Sequence, residues 1–305
     1  NSLPFLFLDG FSLARAEAAN TGWREGCIEG DCWQRLVLAQ YGWIVHSVPH
    51  GSTWKQLYFH MALCGEARLF IIGGLHDFAS AAYVYNPSTR QWTKAPAPPE
   101  PRNMGAIVRH SSGALVAMGG GFVKDSQYLA LHTVATLCET EWKDLSSLNL
   151  PRCCCAAAVD SRGRTYVVGG GENMFSNAEA WSSVEMCNDV MNGAGTGAWC
   201  MAPNMMDRRC ALGAAYSFDT DELFATGGYA GGGRYLNTAE RLPLSGDSCD
   251  RWEMLPPMSC KRAGCVAAIG PDRRLFVIGG GPDGRTEHSS VEALDPRQPR
   301  WQTDL

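Results

Sequence analysis

The sequence has little charge and no long apolar run. Only 19% of its 305 residues are charged, and 31 acidic side chains outnumber 26 basic ones to give a net charge of -5. This balance argues against a protein that binds nucleic acid through its phosphates. No apolar run approaches the length of a membrane-spanning helix, so we expect no membrane partner either.

Familiar catalytic and metal-binding motifs are also missing. The sequence has no nucleophile elbow, no P-loop and no Cys-x-x-Cys pair, although it contains 13 cysteines. We therefore expect no cofactor, no metal site and no catalytic residues. We interpret the run Cys153-Cys154-Cys155 as small buried side chains in the inner strand of a repeat. The odd number of cysteines and the lack of an Asn-x-Ser/Thr sequon and of a signal peptide predict a cytoplasmic or nuclear protein with free thiols.

What the sequence does contain is a fivefold internal repeat. In each copy an apolar run ends in two glycines, and a tryptophan follows further along. The copies are Gly73-Gly74 with Trp92, Gly119-Gly120 with Trp142, Gly169-Gly170 with Trp199, Gly227-Gly228 with Trp252, and Gly279-Gly280 with Trp301. Successive glycine pairs are 46, 50, 58 and 52 residues apart. This period is typical of propeller blades and longer than that of most helical repeats.

A series of arginines marks the same repeat in a second register. Arg102, Arg152, Arg209 and Arg262 precede their glycine pairs by 17, 17, 18 and 17 residues. The segment after each arginine predicts a first strand, and the apolar run before the glycines predicts a second strand that is buried on both faces. An alternating third strand and a fourth strand with the tryptophan complete the unit. We expect a mainly β fold of five four-stranded blades over residues 57–305, with the tryptophans packed between blades.

The repeat resembles a known motif. The apolar run, the double glycine, the sequence Tyr85-Asn86-Pro87 and Trp92 are together similar to the kelch motif, from about Leu57 to the last residue. The resemblance implies a kelch-type β-propeller. Kelch rings often have six blades, so the ring size stays open between five and six.

Residues 1–56 do not fit the repeat. Helix-forming residues follow Ser12, and Trp23, Trp33 and Leu36 offer apolar anchors, which predicts a small helical module. The order of its residues, from Phe7-Leu8 to Trp33-Gln-Arg-Leu36, resembles the later part of an F-box. An alternative is a helical cap that only packs against the propeller.

The two resemblances together imply a function. F-box proteins with kelch propellers are substrate receptors, in which the helical module docks on a Skp-type adaptor of a cullin-RING ubiquitin ligase and the propeller presents the target. For the adaptor contact we expect Phe5, Phe7, Leu8 and Leu13. Such a chain is not itself an enzyme.

We expect the target to bind where the loops after the glycine pairs meet the starts of the first strands, because arginine and aromatic groups gather there. The candidates are Phe78, Phe122, Lys124, Phe175, Tyr229 and Arg285 in the loops and Arg102, Arg152, Arg209 and Arg262 in the arginine series. An alternative role for the arginines is to hold backbone carbonyls or carboxylates between the blades.

Two other functions stay open. One is a scaffold subunit of a larger assembly. The other is an enzyme similar to the copper-radical oxidases, some of which are kelch propellers and which need Tyr, His and Cys ligands at the axis. The chain has only seven histidines. Lone histidines near strand ends are more often hydrogen-bonded loop residues than catalytic groups.

Overall fold

The computed structural model of the chain is a five-bladed β-propeller. The residues that the structure describes are 69–72, 81–86, 90–110, 113–125, 127–138, 141–173, 179–191, 197–245, 251–270, 272–298 and 300–303. The chain divides into two compact units, and Leu69–Tyr85 with Arg90–Leu305 form the unit that contains the blades. The predicted helical module, with Phe5, Phe7, Leu8 and Leu13, lies outside the described residues.

Each blade is an antiparallel sheet whose strands follow chain order. Blade 1 comprises, within the described residues, β1 (Leu69–Ile72), β2 (Ala82–Asn86) and β3 (Gln91–Lys94). Blade 2 has β4 (Ala106–Arg109), β5 (Leu115–Met118), β8 (Val134–Cys138) and β9 (Glu141–Leu145). Blade 3 has β10 (Ala156–Val159), β11 (Thr165–Val168), β12 (Val184–Cys187) and β13 (Cys200–Ala202). Blade 4 has β14 (Gly213–Ser217), β15 (Glu222–Thr226), β16 (Ala239–Pro243) and β17 (Glu253–Met254). Blade 5 has β18 (Ala263–Ile269), β19 (Leu275–Gly281), β20 (Val291–Leu294) and β21 (Trp301–Gln302).

The first strands of blades 2 to 5 lie next to one another around the axis. Between the blades the core is apolar, and the second strand of a blade contributes to both of its faces. In β11, Val167 packs toward blade 2 and Val168 packs toward blade 4. Alternate side chains of a strand point to opposite faces, so a strand between two blades needs a continuous apolar run. This confirms the mainly β propeller that the repeat predicts.

The tryptophans of blades 2 to 5 join each blade to the one before it. In every case the indole N–H donates to a backbone carbonyl of the preceding repeat: Trp142 to Pro96 at 2.8 Å, Trp199 to Ser146 at 2.8 Å, Trp252 to Pro203 at 2.9 Å and Trp301 to Pro256 at 2.6 Å. Trp92 of blade 1 differs, because its side chain is 49% exposed and packs against Tyr85 with the two rings tilted by 40°. The prediction that every tryptophan packs between blades is wrong for this one.

Blade 5 has an open apolar face. Val266 in β18 and Ile278 in β19 point to the side that, in blades 2 to 4, is covered by the next blade. Their exposed fractions are 61% and 46%. The covered positions that correspond to Ile278, such as Val168 in blade 3, are fully buried.

A hairpin interrupts blade 2. The chain leaves Gly119-Gly120 as β6 (Gly121–Lys124), turns at Asp125, and returns as β7 (Gln127–Ala130) before it re-enters the blade. The sequence pattern predicts a loop here. The strands are short and their alternation is imperfect, which is why the pattern does not reveal them.

Candidate protein-binding face

The glycine pairs connect each blade to the next. In blade 3 the carbonyl of Gly169 accepts a hydrogen bond from the Arg152 guanidinium at 2.8 Å. The N–H of Gly170 donates to the backbone carbonyl of Arg209 in blade 4, also at 2.8 Å. Gly170 has a φ of +92°, and a Cβ there would lie 2.6 Å from the carbonyl oxygen of Cys153. Only glycine fits this position without strain. Blades 2 and 4 make the same two bonds. In blade 2 the Arg102 guanidinium donates to the Gly119 carbonyl, and the Gly120 N–H donates to the Arg152 carbonyl. In blade 4 the Arg209 guanidinium donates to the Gly227 carbonyl, and the Gly228 N–H donates to the Arg262 carbonyl.

Three of the arginines form buried ion pairs with a glutamate of the third strand. Arg152 pairs with Glu185 at 2.8 Å, Arg209 with Glu240 at 2.8 Å and Arg262 with Glu292 at 3.0 Å. Each carboxylate also accepts backbone N–H groups from the segment that enters the blade. For Glu240 these donors are Met206 at 2.6 Å and Asp207 at 3.0 Å. The ion pair therefore ties three parts of one repeat together.

Blade 2 lacks this carboxylate, because Ala135 stands where the other blades have glutamate. The Arg102 guanidinium instead donates to the Gly119 carbonyl at 2.9 Å and to Thr133, whose hydroxyl donates to Glu100. Burial lowers the pKa of Arg102, and the nearby charge of Glu100 opposes that effect.

The four arginines are thus placed inside the propeller rather than on its surface. All are buried, and Arg152, Arg209 and Arg262 have no exposed area. A fully buried guanidinium offers no contact to a partner. This geometry fits the alternative role, in which the arginines hold backbone carbonyls and carboxylates. The side chain makes these bonds within its own repeat, and the backbone carbonyl of Arg152, Arg209 and Arg262 makes the bond between blades.

A row of backbone hydrogen bonds links blades 2 to 5 near the axis, at the end that carries the glycine pairs. Cys154 N–H donates to the Met104 carbonyl, Ala211 N–H to the Cys154 carbonyl and Gly264 N–H to the Ala211 carbonyl, each at 2.7 Å. All four residues have positive φ, from 51° to 74°. One residue from each of blades 2 to 5 thereby contributes to a rim that runs from Met104 to Gly264.

This rim forms the floor of a cavity of about 630 Å³. Its walls include Tyr229, Tyr235, Thr286 and His288 from blades 4 and 5. The Tyr229 and Tyr235 rings pack with centroids 4.9 Å apart, and the Tyr229 hydroxyl accepts a hydrogen bond from Gly233 N–H at 2.9 Å. An apolar wall with a few fixed polar groups is a common form of binding site.

The β6–β7 hairpin lies at the same end, since it follows a glycine pair directly. Val123 and Leu129 on it are 60% and 40% exposed, and Lys124 is also exposed. At the base of the hairpin the Tyr128 hydroxyl donates to the Asn103 amide oxygen at 3.0 Å. The hairpin therefore presents two apolar side chains from an anchored base.

The loop candidates from the sequence are distributed around this face. Phe122 is half-buried on the hairpin, Tyr229 lines the cavity, and Arg285 is exposed in a turn. In that turn the Asp283 carboxylate accepts the N–H groups of Arg285 and Thr286, which lower the pKa of Asp283. Phe78 and Phe175 lie outside the described residues. The sequence pattern does not single out Val123, Leu129, Tyr235 or His288, which also belong to this face.

The described part of the chain has neither a metal-binding cluster nor a membrane-spanning helix. No group of three or more His, Cys, Asp or Glu side chains there is arranged to hold a metal ion. Nor does that part contain a helix long and apolar enough to cross a membrane. Eight cysteines of the described part, Cys153, Cys154, Cys155, Cys187, Cys200, Cys210, Cys260 and Cys265, are free thiols.

The chain was compared with known proteins. No protein-family model matches it, and no curated protein sequence matches it. Among solved structures it is similar to that of YjhT, with a TM-score of 0.64 and 16% sequence identity over 78% of this chain and 80% of that one. At this identity the similarity shows a shared fold, and the fold is that of a five-bladed β-propeller in this chain.

Proposed function

We propose that this chain is a non-catalytic protein-interaction module that binds its partner with the glycine-pair end of the propeller. The observation that carries the proposal is the β6–β7 hairpin, which holds Val123 and Leu129 in solvent at the end where the cavity opens. The two side chains lie on opposite faces of the hairpin, because Val123 pairs with Tyr128 and Leu129 pairs with Phe122, so each face offers one exposed apolar group.

The chemistry of the face suits a protein ligand. Tyr229 and Tyr235 offer large contact areas with polar tips, and tyrosine is enriched among the residues that dominate binding energies. Lys124 and Arg285 add exposed positive charge at the margin. The loops that hold these groups are mounted on buried strands, which is the usual arrangement for recognition sites.

More specifically, we propose that the chain is a substrate receptor of a cullin-RING ubiquitin ligase in the cytoplasm or nucleus. The support is the resemblance of residues 1–56 to the later part of an F-box and of the propeller to the kelch repeat. In this role Phe5, Phe7, Leu8 and Leu13 bind a Skp-type adaptor, and the propeller face binds the target.

Affinity capture from source cells with mass spectrometry tests this role. The wild-type chain should retain an adaptor, a cullin and a target. The double variant Phe7→Asp/Leu8→Asp should lose the adaptor and cullin and keep the target, because an unpaired carboxylate is costly to bury. Capture of other subunits at fixed stoichiometry without any adaptor would instead identify a scaffold subunit.

A further inference from the structure

The floor of the cavity is uneven. The same rim position is occupied by Met104 in blade 2, Cys154 in blade 3, Ala211 in blade 4 and Gly264 in blade 5, and all four residues line the cavity. The side chain at this position therefore becomes smaller from blade 2 to blade 5. Cys154 is half-buried and precedes β10, so the interpretation of the cysteine run as buried side chains of an inner strand is wrong for this residue.

Gly264 leaves room on the floor beside blade 5. A Cβ at Gly264 would have no atom within 4 Å. Its φ of +74° belongs to the same region as the +52° of Met104 and the +51° of Ala211, which both carry a Cβ. The backbone at this rim position therefore accepts a side chain, and what glycine adds in blade 5 is space for a ligand.

The wall above this space is held by both blades. Tyr235 packs on Tyr229 in blade 4, and its hydroxyl lies against Gly284 of blade 5, where a Cβ would come within 2.8 Å of the hydroxyl oxygen. The Asp283 carboxylate fixes the blade 5 turn, because it accepts the Thr286 N–H at 2.7 Å and the Thr286 hydroxyl at 3.1 Å. The aromatic wall is thus in place before a ligand arrives.

The charge of the cavity lining is negative. With histidine neutral, Glu287 is the one charged side chain among the described residues that line the cavity, and it is exposed. Lys261 and Arg285 are also exposed at this end but are not among the lining residues. A carboxylate next to two half-buried aromatic rings favours a cationic ligand group over an anionic one.

We propose that this cavity binds the side chain of an arginine in the protein partner, an inference that rests on the proposed function. A guanidinium is planar, stacks on aromatic faces and donates in a fork to carboxylates. Tyr229 and Tyr235 provide the rings, Glu287 provides the carboxylate, and Gly264 provides the space. An apolar side chain in the same place would bring the Glu287 carboxylate out of water without a partner, which is unfavourable.

Titration of the purified full chain, followed by NMR, tests the site with the blocked tripeptide acetyl-Gly-Arg-Gly-amide. Its twin with citrulline has nearly the same shape and no charge. The wild-type chain should prefer the arginine tripeptide by at least about 10-fold, and Glu287→Gln should remove most of this preference. Glu179→Gln is the matched control: it removes an 84% exposed carboxylate at the same end, outside the lining, and should keep the preference. Equal affinity of the wild-type chain for the two tripeptides, or an unchanged preference in Glu287→Gln, would overturn the proposal.

The variant Gly264→Met tests the place of binding, because it gives blade 5 the residue that blade 2 has at this rim position. With no atom within 4 Å of the new Cβ, it should fold, as circular dichroism would show, and bind the arginine tripeptide at least about 10-fold more weakly. Unchanged affinity in the folded variant would place the arginine outside the cavity and overturn the proposal.

The tripeptide experiments need no partner, so they separate this inference from the proposed function. If the wild-type chain shows no preference for arginine, while Val123→Asp/Leu129→Asp still weakens binding of a purified partner, the arginine site is wrong and the protein-binding face stands. If the preference is found and depends on Glu287, while the hairpin variant binds the partner as wild type does, the arginine site stands and the role of the hairpin is wrong.

Discussion

Gly170 and Arg209 connect two blades through one hydrogen bond, from the Gly170 N–H to the Arg209 backbone carbonyl at 2.8 Å. The Arg209 side chain turns back into its own repeat, where it binds the first glycine of its own pair, Gly227, at 2.7 Å. The same holds for Arg152 and Arg262, so each of these three arginines takes part in two glycine contacts, one with the preceding blade and one within its own. This explains why the arginines and glycine pairs keep a spacing of 17 or 18 residues.

Replacement of Gly170 by alanine should be strongly destabilising. The new Cβ meets the Cys153 carbonyl oxygen at 2.6 Å, and φ is +92°. Backbone strain and crowding together should lower the free energy of unfolding by about 2–5 kcal/mol. Gly232→Ala is the control: φ is +60° there, with no atom within 4 Å, so only the strain of about 1–2 kcal/mol applies. Urea unfolding of both variants measures the difference, and equal losses would contradict it.

Glu240→Gln should break a buried ion pair. The Arg209–Glu240 pair has no exposed area, and the carboxylate also accepts two backbone N–H groups. Loss of one buried charge typically costs about 3–5 kcal/mol. The matched substitution Glu253→Gln affects a partly exposed pair with Arg241 and should cost less than about 1 kcal/mol. If chemical denaturation finds the two variants equally stable, the buried pair does not stabilise the blade.

The tryptophans should divide into two classes. Trp252 is buried and donates to the Pro203 carbonyl, so Trp252→Ala should destabilise by about 3–5 kcal/mol. Trp92 packs against the Tyr85 ring and is half exposed, and its replacement by alanine should cost only about 1 kcal/mol. Thermal unfolding followed by circular dichroism would show the difference. A larger loss for Trp92→Ala would contradict the packing described for blade 1.

Buried thiols should make the protein less stable in alkali. Burial raises the pKa of Cys210 from 9.0 to about 11. The folded state keeps this proton longer than the unfolded state, so the stabilisation is complete below pH 9 and is lost as the pH rises toward 11. One such thiol changes the free energy of unfolding by up to about 1.4 kcal/mol per pH unit in this range. Cys210→Ala should flatten the decline, whereas Cys200→Ser, at an exposed thiol, should leave it unchanged. Denaturation from pH 8 to 11 measures both slopes.

The sequence predicts the propeller well because the repeat has direct physical causes. The double glycine is required by positive φ and by close approach to the next blade, and the apolar run is required by burial on both faces. The glutamates that pair with the arginines also recur in register, as Glu185, Glu240 and Glu292. Each pair joins a third-strand glutamate to an arginine that precedes the first strand, 30 to 33 positions earlier in the chain, so the spacing alone does not reveal it.

The binding face is harder to predict, because its residues come from separate parts of the chain. Tyr229 and Tyr235 come together because a glycine-rich turn folds between them, and the cavity takes residues from four blades. The hairpin has too short a pattern to distinguish strands from a loop, so Val123 and Leu129 are not singled out. Trp92 has the same position in its repeat as the other four tryptophans, so the sequence of the repeat does not indicate that Trp92 is exposed.

The central claim, that the glycine-pair end binds a protein partner, is tested most directly by calorimetry with a purified partner. The double variant Val123→Asp/Leu129→Asp changes exposed groups only and should weaken binding by about 2 kcal/mol or more, with the melting temperature unchanged. Phe218→Asp is the control: it carries the same type of substitution on a side chain that is 53% exposed, in the turn between β14 and β15 at the opposite end of the propeller. The account predicts wild-type affinity for Phe218→Asp. Wild-type affinity for the hairpin variant, with binding lost in Phe218→Asp, would contradict it.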